Sequence, residues 1–228
     1  MGGLETRHRS PPSRSASAYG LSYAAPAAVG TLSEVSGVTG ETSNLDRYFV
    51  EGRHVAPWGM VLRDAGGELR LGDEARGESP RRGVTVAPAD GATQESARTL
   101  TFADGGGQVL ISGPAVDLRR QTNGELTIAF RYRVDARPEA PVALTSGPGR
   151  LDLTPLFEAA PLGEWRTARV RLSCLRDAGT DVAAIEEPWG LATRGAFAVT
   201  VEDIRLQPNE GVAACPASWT EAGRAGNE

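Results

Sequence analysis

Polar and apolar positions alternate with a period of two through much of the second half of the chain, the spacing that sends successive side chains to opposite faces of a β-strand. In "ELTIAFRYRVD", residues 125–135, Leu126, Ile128, Phe130, Tyr132 and Val134 fall on one face, while Thr127, Ala129, Arg131 and Arg133 take the other. "WRTARVRLSCL" repeats the pattern, with Ala168, Val170, Leu172 and Cys174 set against Thr167, Arg169, Arg171 and Ser173. Both segments read as half-buried strands. In "FAVTVEDIRLQP" Phe197, Val199 and Val201 are in phase, but Ile204 and Leu206 are one residue out. A β-bulge at Glu202-Asp203 would restore the register.

Earlier segments are shorter. "PWGMVLRD" and "ELRLGD" flank Ala65-Gly66-Gly67 and predict a hairpin with a short Gly-containing loop. "GVTVAP" and "ARTLTFADGGGQVLISG" add further strand-like runs, and "DGGGQ" (104–108) reads as a hairpin turn within the latter. No amphipathic helix and no solenoid or propeller repeat stands out. Eight or so short strands with frequent turns predict an all-β chain forming a jelly-roll or immunoglobulin-like β-sandwich.

The chain preceding this body differs in composition. Residues 1–18 read as a disordered lead and residues 24–45 as a Gly/Ser/Thr-rich linker, with the compact "YGLSY" (19–23) between them. The sandwich is expected over 46–208, followed by a tail over 209–228.

Composition narrows the function. The 24 basic residues, every one an arginine, are outnumbered by 29 acidic ones, giving a net charge of −5. No stretch gathers enough positive charge to neutralise a row of phosphates, so nucleic acid is not an expected partner. No apolar run has the length of a membrane span or of a signal peptide's central region, so no membrane association is expected and the chain as written would stay in the cytoplasm.

Of the two histidines, His8 lies in the lead, and His54 alone would have to support any triad or histidine metal site. "DGGGQ" precedes a strand rather than a helix, which argues against a phosphate loop. Aromatic rings beside planar polar groups suit sugars better. Trp58, Trp165 and Trp189 lie in the body, where core packing is the plain alternative for each. The loop "EGRHVAPWG" places Glu51, Arg53 and His54 near Trp58 and is the candidate ligand surface; Gln94 and Glu95 in "TQESAR" are a second, for which turn capping is the alternative. Cys174 and Cys215 are either two thiols or one bridge closing a loop of about 42 residues, for which loop entropy allows roughly 4 kcal/mol.

Several segments together resemble the C-terminal region of bacterial glycoside hydrolase family 3 enzymes of the β-glucosidase and exo-1,3/1,4-β-glucanase branch. "YGLSY" is similar to the end of that family's fibronectin-III-like domain. "GRHVAPWGMVLRD", "TQESARTLTF", "NGELTIAFRYRVD", "GEWRTARVRLSCLRDAGTDV", "PWGLATRGAFAVTVEDIRL" and the closing "CP" at 215–216 are similar to its accessory β-sandwich, of galactose-binding or carbohydrate-binding-module type. The Pro-Phe-Gly that commonly precedes the tyrosine is replaced by Ser17-Ala18, and "SGPGRLD" (146–152) stands where many relatives carry cysteines.

The resemblance implies a retaining-glycosidase parent whose two catalytic domains would lie upstream of Tyr19, so no catalytic residue maps onto this chain and no activity of its own is expected. It implies β-glucan oligosaccharides and those catalytic domains as partners, and a periplasmic or secreted parent. A purely structural packing domain without sugar affinity is the alternative. No cofactor is expected; sandwiches of this type often hold a structural Ca²⁺, but no Asp-rich loop identifies one and the metal stays unassigned.

Overall fold

The computed structural model describes residues 46–50, 52–71, 83–92, 96–209 and 215. The expectations for 1–45, including "YGLSY", fall outside these residues, as do Glu51, Gln94, Glu95 and Trp219.

In chain order the described strands are β1 (Arg47–Val50), β2 (Arg53–His54), β3 (Gly59–Asp64), β4 (Gly67–Arg70), β5 (Val84–Ala89), β6 (Ala97–Phe102) and β7 (Gly107–Ser112). Then come β8 (Thr127–Ala136), β9 (Val142–Ser146), β10 (Gly149–Asp152), β11 (Trp165–Arg171), β12 (Trp189–Thr193) and β13 (Phe197–Gln207). Two antiparallel sheets result. The first orders β11-β8-β13-β1-β2, with β6 also on β13 and β5 on β6; the second orders β10-β9-β12-β7-β3-β4.

The bulge expected in the last strand organises the first sheet. Phe197 to Val201 pair with β6, whereas Ile204 and Arg205 pair with β1, so one edge of β13 serves two strands in succession. The register shift against β8 falls between Glu202 and Arg205, and Asp203 adopts φ 54°. Aspartate is among the few side chains that tolerate this left-handed conformation. The extra residue puts Ile204 and Leu206 back on the buried face. The hairpin at Ala65-Gly66 also forms as expected, joining β3 to β4.

Side-chain alternation fills the space between the sheets. Trp189, Leu191, Val109, Ile111, Met60 and Leu62 enter from the second sheet; Phe130, Tyr132, Val199, Val201, Leu100 and Phe102 enter from the first. The Phe130 ring meets Trp189 edge to face at 5.6 Å, and Tyr132 meets Phe157 at 5.3 Å. Such contacts add specific geometry to burial that is already worth a few kcal/mol per ring.

Three readings from the sequence are corrected. "DGGGQ" is not a hairpin turn: β6 belongs to the first sheet and β7 to the second, so Ala103 to Gly106 carry the chain from one to the other. Gly105 and Gly106 take φ 89° and 61°, and a β-carbon on Gly106 would lie 1.9 Å from the Thr193 carbonyl oxygen. The strand from Trp165 stops at Arg171, after which the chain turns into a helix.

Helices are therefore present, although short: α1 (Arg119–Asn123), α2 (Thr154–Ala159) and α3 (Leu172–Asp177). At five or six residues each, they are too brief to write a helical period into the sequence. In α3 buried Leu172 and Cys174 continue the alternation of the strand before them, while Leu172 and Leu175 stand one helical turn apart, so the first part of the helix read as strand.

Candidate functional site

Because the inward residues of each strand form the core, their neighbours build two outer faces. On the outer face of the second sheet, Arg63 of β3 and Gln108 of β7 lie beside Thr145 of β9. Gln108 Nε2 donates to Thr145 Oγ1 at 2.7 Å, reaching across β12, and Arg63 Nη1 donates to Gln108 Oε1 at 3.4 Å. The crossing is open because residue 190 of the intervening strand is glycine: a β-carbon there would lie 2.6 Å from Thr145 Oγ1. Arg63 is also held by Glu68 at 2.9 Å and Glu187 at 3.0 Å. Hydrogen bonds to these carboxylates, Glu187 first, raise the guanidinium pKa above its ordinary value and keep it charged.

Arg63 and Gln108 of this network line a cleft of about 730 Å³ bounded by the Asp64-Ala65 turn, Gly105 to Gln108, Ala140 to Ala143, Arg150 to Asp152 and Ala192 to Arg194. Arg150 and Arg194 are exposed at its rim. Its lining combines planar polar side chains with small apolar ones, and contains no aromatic ring among the described residues. Sugar hydroxyls suit such a surface, since amide and guanidinium groups offer several donors and acceptors in fixed directions.

The loops singled out in the sequence lie elsewhere. Arg53 is exposed, and the half-buried His54 ring sits 5.7 Å from Phe49. Trp58 is only 3% exposed: Tyr48 approaches it edge to face at 5.1 Å, and a β-carbon on Gly113 would lie 2.4 Å from its ring. It is a core residue, so the ligand-facing role expected of its ring does not fit its position.

Arg98, which the sequence did not nominate, connects the two candidate loops. Its Nη2 donates to the Gly52 carbonyl at 2.8 Å and its guanidinium lies 5.6 Å from the centre of the Phe49 ring. Burial lowers its pKa from the ordinary arginine value. The chain on either side of Gln94 and Glu95 is tied to buried Glu202, whose Oε2 accepts from Ala92 N at 3.3 Å and Ser96 Oγ at 3.1 Å. Arg131 completes the ion pair with Glu202 at 2.6 Å.

Two further features bear on the sequence reading. Cys174 and Cys215 are bonded, joining α3 to the chain beyond β13. Among the described residues, no group of three or more His, Cys, Asp or Glu side chains could hold a metal, and no helix is long and apolar enough to cross a membrane. The Arg63, Gln108 and Thr145 network escaped the sequence reading because its members come from three strands and no local motif marks them.

These features define an antiparallel two-sheet β-sandwich with a polar cleft on one outer face. Residues 56–206 match the model of the Exop_C family, described as galactose-binding domain-like, and the chain belongs to that family. The resemblance to the accessory β-sandwich is thus borne out for the segments within 56–206, while "YGLSY" and the closing "CP" lie outside the match.

In structure the chain is similar to the extra C-terminal domain of the exo-1,3/1,4-β-glucanase ExoP from a Pseudoalteromonas species. That match has 14% identity and a TM-score of 0.59, covering 76% of this chain and 98% of that one. The whole ExoP enzyme matches with 11% identity and a TM-score of 0.58 over 75% of this chain, but over only 21% of the enzyme. A family 30 carbohydrate-binding module of a Clostridium thermocellum cellulosomal cellulase matches at 13% identity, 72% and 98% coverage and a TM-score of 0.46. No curated protein sequence matches the chain.

Proposed function

We propose that this chain is the C-terminal part of a family 3 β-glucosidase or exo-β-glucanase, and that its sandwich is an accessory domain that contacts β-glucan and supports the catalytic domains. The observation carrying this reading is the cleft beside Arg63, Gln108 and Thr145, whose planar polar groups are ordered by one another before any ligand arrives. Binding there costs little side-chain ordering. Membership of the Exop_C family supports the link to a glucan-active parent. The Cys174–Cys215 bond supports a periplasmic or secreted setting for that parent.

Electrophoresis of the full chain through gels containing laminarin or mixed-linkage β-glucan tests the proposal. Retardation relative to a polysaccharide-free gel is expected. Equal mobility in every gel would remove the sugar-binding reading and favour the structural one. A specific observation keeps that second reading in play: among the described residues, the cleft lining offers no aromatic ring for a sugar to stack on.

A further inference from the structure

The outer face of the first sheet carries what the cleft lacks. Trp165 opens edge strand β11, and it is half-buried whereas Trp58 and Trp189 are buried. Strand pairing places it opposite Arg133 of β8; Arg133 lies opposite Thr200 of β13, Thr200 opposite Thr99 of β6, and Thr99 opposite Ala87 of β5. Five side chains thus form one row across five strands. At about 4.8 Å per strand, that row is roughly 19 Å long, enough for an oligosaccharide and too long for a single sugar.

Thr200 is fully buried, so it holds the more exposed Arg133, Asp135 and Thr99 in place from beneath. Thr200 Oγ1 donates to Asp135 Oδ2 at 2.5 Å, so its single proton is committed. The 2.8 Å contact with Thr99 is therefore donated by Thr99, and Arg133 Nη2 also donates to Thr200 Oγ1, at 3.3 Å. Arg133 Nε donates to Asp135 Oδ1 at 2.8 Å. At the tryptophan end, the guanidinium carbons of Arg131 and Arg133 lie 5.5 and 5.3 Å from the indole centre. Leu162, 53% exposed, precedes Trp165 by three residues in the connecting loop and adds apolar surface.

Charge decides the class of ligand. Arg133 is neutralised by Asp135 and Arg131 by Glu202, so the row has polar groups in abundance but no excess charge with which to attract a uronate or a phosphate. An apolar ring at one end, followed by fixed hydroxyl, carboxylate and guanidinium groups, matches the alternating apolar faces and hydroxyl edges of a neutral sugar chain.

We propose that the row from Trp165 through Arg133 and Asp135 to Thr99, held from beneath by buried Thr200, is a second carbohydrate-binding surface, separate from the cleft, for a neutral β-linked oligosaccharide lying across the strands with one sugar ring against Trp165. The inference rests on reading the domain as sugar-binding, but not on the cleft.

Titration of the full chain with cellotetraose or laminaritetraose, followed by tryptophan fluorescence and by the Trp165 indole N–H resonance, is the test. That resonance is assigned by its loss in Trp165→Phe. It should shift saturably in the wild type, and Trp165→Ala should weaken this binding at least tenfold with an unchanged unfolding midpoint. Thr99→Val, which leaves the ring in place, should weaken it severalfold. Gln108→Ala, in the cleft, should leave the Trp165 response intact.

Sugar binding that persists unchanged in both Trp165→Ala and Thr99→Val overturns this surface and leaves the accessory sugar-binding reading standing. No binding of either tetrasaccharide to the wild type overturns both. A Trp165 response to an oligogalacturonate alone overturns the neutral class.

Discussion

Reduction of the Cys174–Cys215 bond should cost this domain much of its thermal stability. The cysteines are 41 residues apart in sequence and the closed loop contains β12 and β13, each flanked by other strands of its sheet. Cys174 is buried in α3, and half-buried Cys215 packs against the core. Closing a loop of about 42 residues removes roughly 4 kcal/mol of conformational entropy from the unfolded chain, an upper value because residual structure in that state reduces it. For a domain of this size each kcal/mol moves the midpoint by about 2–4 °C, so reduction should lower it by about 8–16 °C.

Differential scanning calorimetry of the full chain, with and without a phosphine reductant, measures the difference on one sequence. A Cys215→Ala variant should unfold near the reduced wild type and ignore the reductant. Two thiols titrating in the denatured, unreduced protein, or midpoints that agree within about 2 °C, would refute the reasoning.

Three further substitutions test the packing. The Tyr48 hydroxyl is buried without a hydrogen-bond partner among the described residues, so Tyr48→Phe should stabilise the fold by about 1 kcal/mol in denaturant titrations. Burial, with a smaller contribution from the Asp46 charge, raises the Tyr48 pKa above its ordinary value of 10.0, so the fold favours the neutral phenol. That preference costs nothing below the unfolded-state pKa near 10 and removes stability as pH rises above it; the wild type should therefore lose midpoint faster than Tyr48→Phe at alkaline pH. Gly106→Ala would force a β-carbon against the Thr193 carbonyl at a positive φ, and a loss of about 3 kcal/mol or more is expected in the same titrations. Glu202→Ala strips a buried partner from Arg131, Ser96 and Ala92, and should cost about 3 kcal/mol while raising hydrogen exchange at Ala92 and Ser96.

The sandwich was legible because its long strands sustain a period of two over more residues than a helix can imitate. In β8, Ile128, Phe130, Tyr132 and Val134 are all buried, as their spacing required. Even the bulge at Glu202-Asp203 announced itself, since a slip in phase within one apolar series is the mark that an inserted residue leaves on a strand. The passage from β6 to β7 was illegible for a related reason: a Gly-rich turn looks alike whether the next strand pairs beside the last or crosses to the facing sheet, and only long-range pairing decides.

The sites were harder still. Trp58 drew notice because charged residues and a proline flank it, yet flanking sequence does not say where a ring points. Trp165 carried the better signal, for it begins an edge strand whose outward positions are Thr167, Arg169 and Arg171 and so stands in phase with them. The row from Trp165 to Thr99 spans four strands drawn from distant parts of the chain, and no local pattern could assemble it.

The proposed function turns on β-glucan binding by this sandwich. Calorimetric titration of the full chain with laminari- and cello-oligosaccharides at millimolar concentration tests it most directly. A saturable heat with one or both series is expected, and the absence of any heat beyond dilution with either would rule out β-glucan binding by the sandwich.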